Sequence, residues 1–211
     1  PAQTMEQLLR EKGVHNVAWF YITNMSAVTS SGSPLIRPED YKGKKIRGLG
    51  PLFDAALAEI GAAPVAMSGS EVYQALQTRL IDAGITDFST SWVRKYYEVQ
   101  DHIVATPMFS LFYHAYCNPR WYDALTDAQK AAIVESGQKV SAAILASFQD
   151  EVDQTIKNFR DMDFNIHIHT PEEIEAMKAA LLPAFDRAFN AATGDRGAAL
   201  IDEIDRLAGL N

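Results

Sequence analysis

Residues 45–67, KIRGLGPLFDAALAEIGAAPVAM, decide the fold of this chain, because they contain a strand, a helix and a second strand in succession. Residues 45–48 form the first predicted strand. The helix is predicted at residues 52–60, and Pro51 stands at the position where a first helical turn tolerates proline. Residues 64–67 form the next strand. The order strand–helix–strand is typical of a parallel sheet that is covered by helices.

The same alternation continues on both sides of this stretch. Further strands are predicted at residues 16–22, 80–85 and 164–169. An unbroken apolar and aromatic run at residues 108–117 has the length of a long strand that is buried on both faces. Residues 170–173, TPEE, start a helix that Pro183 is expected to kink or end. We therefore predict an α/β fold with a mostly parallel sheet, in which ligands bind beyond the carboxyl ends of the strands.

A long amphipathic helix is predicted at residues 126–160, with one gap in its apolar stripe at Gly137. The stripe recurs at spacings of three and four residues and consists of Ile133, Val140, Ile144, Phe148, Val152, Ile156 and Phe159. At 1.5 Å per residue such a helix is about 50 Å long, which exceeds the diameter of a small domain. We therefore expect one unbroken helix that joins two lobes.

The composition excludes several classes of protein. The chain has 211 residues, with 19 lysines and arginines against 27 aspartates and glutamates, and a net charge of −8. This acidic balance argues against nucleic acid as a partner, because phosphate binding needs a basic face. No stretch approaches the roughly 18 consecutive apolar residues of a membrane span. The single cysteine, Cys117, excludes an intrachain disulfide and a cysteine-based zinc site.

The first candidate binding site is the junction RGLGP at residues 47–51, where an arginine ends the predicted strand and a helix begins. Arg47 offers a planar, two-pronged donor that suits a carboxylate. The helix start adds unpaired N–H groups and the positive end of the helix dipole. The junction therefore predicts an anion site, and the alternative is a surface arginine beside a glycine turn. It is not a dinucleotide fingerprint, because Phe53 stands where the third glycine would be.

Two further strand-to-helix junctions, at residues 68–71 and 86–92, carry polar or aromatic side chains. The candidate binding residues there are Ser68, Gly69, Thr86, Phe88 and Trp92. Hydroxyl groups and aromatic rings near a strand end suit the lining of a ligand cleft. The alternative for the first junction is a helix cap, and for the second it is a cap with a packed aromatic face.

Neither a metal centre nor catalytic machinery is visible in the sequence. His167 and His169 alternate with isoleucines, so both histidines face one side of a strand, but no acidic or cysteine ligand lies at useful spacing. A solvated strand face is the favoured interpretation. The motifs of nucleophile elbows, zinc proteases and phosphate-binding loops do not occur. We therefore predict no catalytic residue, no metal site and no cofactor.

Four motifs, in the correct order, resemble the DctP-type solute-binding proteins of TRAP transporters. Residues 37–47, RPEDYKGKKIR, resemble the family's PEDLKGLKIR stretch, and residues 70–78, SEVYQALQT, resemble its SEVYxALQT helix. Residues 94–100, RKYYEVQ, resemble its KFYEVQ segment. Residues 121–130, WYDALTDAQK, resemble the segment that precedes its long helix. The resemblance extends from about residue 17 to residue 160.

The resemblance implies a periplasmic receptor whose two α/β lobes close on an organic acid and deliver it to the membrane components of a TRAP transporter. It also implies that Arg47 binds the carboxylate of the ligand. Thr86 stands where the family often has asparagine, and Gly69 stands where it often has a bulky residue. These departures favour a larger or flatter ligand, on whose ring Phe88 and Trp92 are expected to stack.

The resemblance further implies a two-lobe architecture in which one lobe is nearly complete and the other is partial. Residues 17–109 with 161–211 correspond to the second lobe. Residues 1–16 with 110–160 correspond to a remnant of the first lobe and the connecting helix. The family's strand–helix units before residue 1 are missing, so the strand at residues 108–117 is expected to expose apolar side chains and to support self-association.

Three further points concern location and function. The sequence begins without a basic and apolar leader, so we expect a cytoplasmic protein or one that is mature or truncated. One competing function is a small α/β enzyme that acts on an organic acid, with Arg47 as the substrate clamp. Another is an interaction module. Turnover of organic acids would favour the enzyme, whereas ligand-dependent thermal stabilisation without turnover would favour the receptor.

Overall fold

The computed structural model describes residues 2–208, with side chains described at residues 5–204, 206 and 207. The chain divides into two compact units. Unit 1 comprises the described residues of Pro1–Thr23, Ser110–Gln149 and Ala198–Asn211, and unit 2 comprises Asn24–Phe109 and Asp150–Gly197.

Eight strands form two sheets in the described part of the chain. They are β1 (His15–Thr23), β2 (Ser26–Ser30), β3 (Lys45–Gly48), β4 (Ala63–Ala66), β5 (Ala83–Asp87), β6 (His102–Thr106), β7 (Leu111–Cys117) and β8 (Asn165–Ile168). In unit 1, β1 pairs with β7. In unit 2, the other six strands form one sheet in the order β4-β3-β5-β2-β6-β8.

The sheet of unit 2 is mixed. β3 is parallel to β4 and β5, and β6 is parallel to β8. β2 lies between β5 and β6 and is antiparallel to both. The α/β fold is therefore confirmed, but the prediction of a mostly parallel sheet missed the direction of β2. Hydrophobic periodicity shows that a segment is a strand and does not show which way the strand runs.

Strand β4 is one edge of this sheet and contains Pro64. The N–H group of Ala63 donates to the Lys44 carbonyl at 2.8 Å, on the side of β3. Backbone donors alternate along a strand, so the nitrogen of Pro64 faces away from β3. Proline is tolerated here because no ladder hydrogen bond is lost.

Eight α-helices lie in the described part of the chain, together with short 3₁₀ helices at Pro38–Tyr41 and Tyr96–Glu98. The α-helices are α1 (Ala2–Glu11), α2 (Pro51–Glu59), α3 (Val72–Gln77), α4 (Phe88–Val93), α5 (Pro119–Asp123), α6 (Asp127–Asp161), α7 (Pro171–Thr193) and α8 (Asp195–Ala208). α6 is continuous over 35 residues, which confirms the predicted long helix. In this described part, no helix is both long enough and apolar enough to cross a membrane.

Helix α7 does not end at Pro183, which was expected to kink or end it. The helix starts as expected, with the Thr170 hydroxyl accepting from the Glu173 N–H group, but it continues through the proline to Thr193. Proline inside a helix costs about 3 kcal/mol or more. Leu181 and Ala184, on either side of Pro183, are both buried in the core of unit 2. Burial of this face offsets the lost hydrogen bond, so the helix is not ended.

The core of unit 2 covers both faces of its sheet. On one face, Val28, Ile46, Ile85 and Val104 are fully buried, and they cluster with side chains of α2 and α7. On the other face, Ala27, Ile103 and Ala105 cluster with Phe88 of α4 and with Val152 and Phe159 of α6. Each fully buried large apolar side chain contributes about 1.5–3 kcal/mol relative to an exposed one. Two packed faces hold the sheet edges, and the loops beyond them, in fixed positions.

Unit 1 contains the antiparallel pair of β1 and β7, against which α6 packs closely. A Cβ atom placed on Gly137 would lie only 2.6 Å from the Cβ atom of Ala18 in β1. The apolar run alone predicted a strand buried on both faces, which is wrong for the described chain, whereas the resemblance implied exposed apolar side chains, and these are observed. Phe112, Tyr113 and Tyr116 are 54%, 56% and 63% exposed. In the described residues β7 pairs with β1 alone, so few neighbours cover its other edge.

Candidate functional site

The three junctions predicted from the sequence meet at one edge of the unit 2 sheet. β3, β4 and β5 are parallel neighbours, so their carboxyl ends, at Gly48, Ala66 and Asp87, lie along the same edge. β2 begins at this edge too, because Ser26 pairs with Asp87. Ligands of α/β proteins bind beyond such an edge. The structure therefore brings together side chains that are separated by up to about forty residues in the sequence.

Arg47, the principal candidate, is held in place by its own sheet. Its side chain is partly buried, and Nη1 donates to the carbonyl oxygen of Ile85 in β5 at 2.9 Å. Its Nη2 atom lies beside Gly69, because a Cβ atom placed on Gly69 would be 3.3 Å away. A guanidinium that is already oriented loses less freedom when it binds an anion.

Arg94 is a second guanidinium at the same place, and the sequence analysis did not select it. It follows α4, and its Nη1 atom donates to the carbonyl oxygen of Gly69. A Cβ atom on Gly69 would lie 3.0 Å from Arg94 Nη1 and 3.2 Å from Nη2. Both arginines therefore converge on Gly69. The sequence signal that could have identified Arg94 is its position at the start of the motif at residues 94–100, seven residues after the end of β5.

The charges of these two arginines reach the buried Tyr96. Burial raises the pKa of the Tyr96 hydroxyl, and the nearby charges of Arg94 and Arg47 lower it in part. Tyr96 itself is 1% exposed. The two arginines thus place positive charge at this edge of the sheet, where the carboxylates of Asp54, Glu71 and Asp87 also lie. Local positive charge favours a carboxylate ligand.

The start of α2 does not offer the free N–H groups and positive dipole end that the sequence predicted for an anion site. The carboxylate of Asp54 accepts from the Leu49 N–H group at 2.9 Å. The same carboxylate would lie 2.7 Å from a Cβ atom on Gly48. An acidic group already complements the positive end of this helix, so the case for an anion site rests on the arginines.

Ser68 and Glu71 form a local turn before α3, and the helix cap considered as the alternative is not formed by Ser68, because the N-cap of α3 is Glu71 without a side-chain cap hydrogen bond. Both the N–H group and the hydroxyl of Ser68 donate to Glu71 Oε2, at 2.8 and 2.6 Å. These hydrogen bonds lower the pKa of the exposed Glu71 carboxyl group. The Ser68 hydroxyl is therefore engaged in holding the loop that carries Gly69.

The third junction separates into a cap, a core residue and a partly exposed ring. Asp87 caps α4 by accepting from the Thr90 N–H group at 2.7 Å, and Thr86 is 7% exposed on β5. Phe88 is fully buried, with its ring centroid 5.8 Å from that of Phe159. This placement favours core packing over contact with a ligand. Trp92 is partly buried and stacks obliquely on Tyr97, with centroids 4.7 Å apart.

A second group of polar side chains lies farther along the same edge, beyond β8. The sequence showed no acidic residue at useful spacing from His167 and His169. The turn into α7 nevertheless brings Glu173 to both histidines, and one ligand atom from each of the three residues lies within 4.8 Å of the others. In the described part of the chain, this is the one group of three histidine, cysteine or acidic side chains whose ligand atoms lie close enough together to hold a metal ion.

Two arginines thus converge at the carboxyl edge of a mixed α/β sheet. The chain belongs to the DctP family, described as bacterial extracellular solute-binding protein, family 7, which matches residues 1–192. The resemblance found in the sequence is thereby confirmed. This is a family of solute-binding proteins and not of enzymes, so the alternative of a small enzyme is not supported.

Two curated relatives illustrate the similarity. The chain is 27% identical to the C4-dicarboxylate-binding periplasmic protein DctP of Rhodobacter capsulatus over 180 residues, which cover 84% of this chain and 54% of that protein. It is 35% identical to the 2,3-diketo-L-gulonate-binding periplasmic protein YiaO of Escherichia coli over 138 residues, which cover 62% of this chain and 40% of that protein. The chain thus spans about half the length of these relatives.

Solved structures show the same fold. A TRAP periplasmic solute-binding protein from Desulfovibrio salexigens with bound orotic acid matches with a TM-score of 0.90 and 21% identity, covering 97% of this chain and 66% of that one. The periplasmic ectoine-binding protein of the TeaABC TRAP transporter of Halomonas elongata matches with a TM-score of 0.87 and 22% identity, covering 95% and 64%. At this level of identity the likeness establishes the fold.

Proposed function

We propose that this protein is an extracytoplasmic solute-binding receptor that captures an organic acid and delivers it to a TRAP-type transporter in the membrane. The observation that carries the proposal is the convergence of Arg47 and Arg94 on Gly69 at the carboxyl edge of the unit 2 sheet. Membership of the DctP family supports the receptor role. The names of relatives that bind C4-dicarboxylates and diketogulonate support a carboxylate as the recognised group.

In this proposal Arg47 binds the carboxylate directly. Its Nη1 atom donates to the Ile85 carbonyl oxygen, which fixes the plane of the guanidinium, and the ligand carboxylate would approach from the side of Gly69. The hydrogen-bonded guanidinium gives a charge-assisted contact with defined direction. The absence of a side chain at Gly69 lets both arginines approach the same point, and a larger or flatter acid fits there better than beside a bulky residue.

The remaining candidate residues take supporting roles in this proposal. Ser68 holds the loop of Gly69, and Thr86 follows the residue whose carbonyl group orients Arg47. Trp92 is partly exposed and stands two residues before Arg94. In this position its indole can stack on a planar ligand. Phe88 supports Trp92 indirectly, since both rings pack against Phe159.

Calorimetry with a panel of carboxylates tests the proposal. The panel is succinate, malonate, orotate and glucuronate, each compared with its uncharged amide. We expect at least one acid to bind and to raise the melting temperature, and its amide to do neither, because the arginines recognise the negative charge. Equal binding of acid and amide would contradict recognition of a carboxylate, and conversion of any acid to product would contradict the receptor role.

The location, the lobes and the partners belong to the same proposal. A receptor of this kind works in the periplasm and docks on the membrane components of its transporter. Residues 17–109 with 161–211 would form the second lobe of the family fold, and residues 1–16 with 110–160 would belong to the first lobe and the connecting helix. The exposed aromatic side chains of β7 support self-association, which light scattering of a Tyr113→Lys variant against the unchanged protein tests.

A further inference from the structure

Three side chains beyond β8 form a compact cluster that the receptor role does not use. His167 lies in β8. His169 is two residues further along the chain, just after the end of β8 and on the same side of the strand. Glu173 lies in the first turn of α7. His167 Nε2 and Glu173 Oε2 are 2.7 Å apart, and the two imidazole centroids are 5.7 Å apart. One ligand atom from each residue lies within 4.8 Å of the other two.

His169 is the buried member of this cluster. It is 6% exposed, and its Nδ1 atom lies 2.9 Å from the Thr106 hydroxyl oxygen at the end of β6. Among the described residues, no group meets strict hydrogen-bond geometry with its Nε2 atom, although the Ile36 carbonyl lies close enough to act on the pKa of the ring. A histidine that binds a metal through one ring nitrogen usually has the other nitrogen held by a hydrogen bond. Thr106 provides such a hydrogen bond.

The directions of the pKa shifts of His169 and Glu173 suit a cation. Burial is the largest cause that lowers the pKa of His169, and the charge of His167 lowers it further. The charge of Glu173 raises it, and the Ile36 carbonyl has the smallest effect, also raising it. The Thr170 N–H group lowers the pKa of Glu173 first of all, and the hydrogen bond and charge of His167 lower it further. A neutral imidazole and an ionised carboxylate are the forms that coordinate metals.

We propose that His167, His169 and Glu173 bind a divalent transition-metal ion of the zinc type, with solvent completing the coordination. Two imidazole nitrogens and one carboxylate oxygen are donors that zinc prefers. Ligand atoms about 2.0–2.1 Å from a tetrahedral zinc ion lie about 3.4 Å from one another. Small side-chain rotations would bring ligand atoms that now lie within 4.8 Å of one another to this geometry. The ion would then replace the proton shared by His167 and Glu173.

This metal site is separate from the candidate anion site. Strands β5, β2 and β6 lie between β3, which carries Arg47, and β8. Four spacings of about 4.8 Å between neighbouring strands place the two sites about 19 Å apart along the edge. The metal site therefore stands or falls independently of the proposed receptor function.

Calorimetric titration with zinc chloride, after removal of metals with a chelator, tests the proposal. We expect one ion to bind per chain, with an affinity reduced at least tenfold by His169→Gln and by Glu173→Gln. Glutamine at position 173 retains an acceptor for the Thr170 N–H group, so the helix cap is preserved. His102→Gln, in β6 at the opposite edge of the sheet, is the matched control and should bind zinc like the unchanged protein.

Two further measurements make the outcome decisive. Cobalt(II) should give a visible absorption spectrum with the intensity of a low-coordinate site, and titrations in two buffers should show release of protons on binding. His167→Gln, at a partly exposed side chain, answers the question if the other variants do not fold. Zinc affinity that is unchanged in the folded variants, or reduced equally by His102→Gln, would overturn the proposal.

Discussion

The guanidinium of Arg47 in β3 donates through Nη1 to the carbonyl oxygen of Ile85 in β5, at 2.9 Å. This contact crosses from one parallel strand to its neighbour near their carboxyl ends, so the sheet itself orients the arginine. In the proposed receptor, the charged group would meet a ligand beyond the edge without rearrangement. Binding energy from the carboxylate is then not spent on ordering a long side chain.

Replacing Arg47 with alanine should weaken binding of the carboxylate that performs best in the panel by about 1.5–3 kcal/mol, the range for hydrogen bonds to charged groups. Arg47→Lys should recover only part of this loss, because lysine cannot reproduce the planar, two-pronged geometry. Calorimetry measures both variants. Arg160→Ala, at an exposed position on α6, is the control and should leave affinity unchanged. Unchanged affinity in Arg47→Ala would mean that the arginine only supports the sheet.

Gly69→Ala should reduce carboxylate affinity about tenfold while leaving the fold intact. The new methyl group would lie 3.0–3.3 Å from nitrogen atoms of Arg47 and Arg94, which are the flexible ends of long side chains. Both guanidinium groups can therefore move aside, and their convergence is lost. Ser70→Ala, at the neighbouring exposed position, is the control. A Gly69→Ala protein with full affinity would show that the convergence does not matter for binding.

Gly137→Ala should lower the free energy of unfolding by about 1–3 kcal/mol, the usual cost of overpacking. Alanine is the better helix former by about 1 kcal/mol, so helix propensity alone predicts the opposite sign. The reason is the close approach of Ala18, whose Cβ atom would be 2.6 Å from the added one. Urea unfolding measures the change, with Ser136→Ala as the control. Adding Ala18→Gly to Gly137→Ala should recover part of the loss, and no recovery would place the strain elsewhere.

Acidification should destabilise the protein through His169. Its pKa is lowered by burial from the unfolded value of 6.5, so the unfolded chain binds the proton more readily than the folded chain. Stability is therefore complete above about pH 6.5 and decreases as the pH falls toward the lowered pKa of the folded state. We expect the melting temperature to fall less between pH 7 and about pH 5 in His169→Gln than in the unchanged protein. His102→Gln should follow the unchanged protein, and an identical pH dependence in all three would exclude this role for His169.

Local patterns predicted the elements of the fold well where one physical signal dominated. The apolar spacing through Phe148 and Phe159 predicted α6 as one helix, and the segment from residue 45 to residue 67 predicted β3, α2 and β4. Pro183 does not end α7, because propensity is local, whereas burial of the surrounding face of α7 is a property of the whole core. The direction of β2 likewise depends on its neighbours.

The candidate site was predictable only in part. Arg47 was selected because arginine, glycine and a helix start follow one another in the sequence, and its role stays a prediction. Arg94 was missed because its proximity to Gly69 depends on a hydrogen bond between segments 25 residues apart. Phe88 was misplaced because the sequence shows an aromatic residue near a strand end without showing that its ring points into the core. Glu173 approaches His167 only after the chain turns from β8 into α7.

Pro64 has a consequence for how copies of this chain can assemble. Its nitrogen faces outward from β4, so the open edge of the sheet lacks one of the donors that an incoming strand would require. An exposed edge with a complete row of donors is a template on which sheets of different molecules can polymerise. The proline interrupts that template at its centre. Growth of fibrils from this margin is therefore discouraged by covalent structure, independently of charge, concentration or ligand.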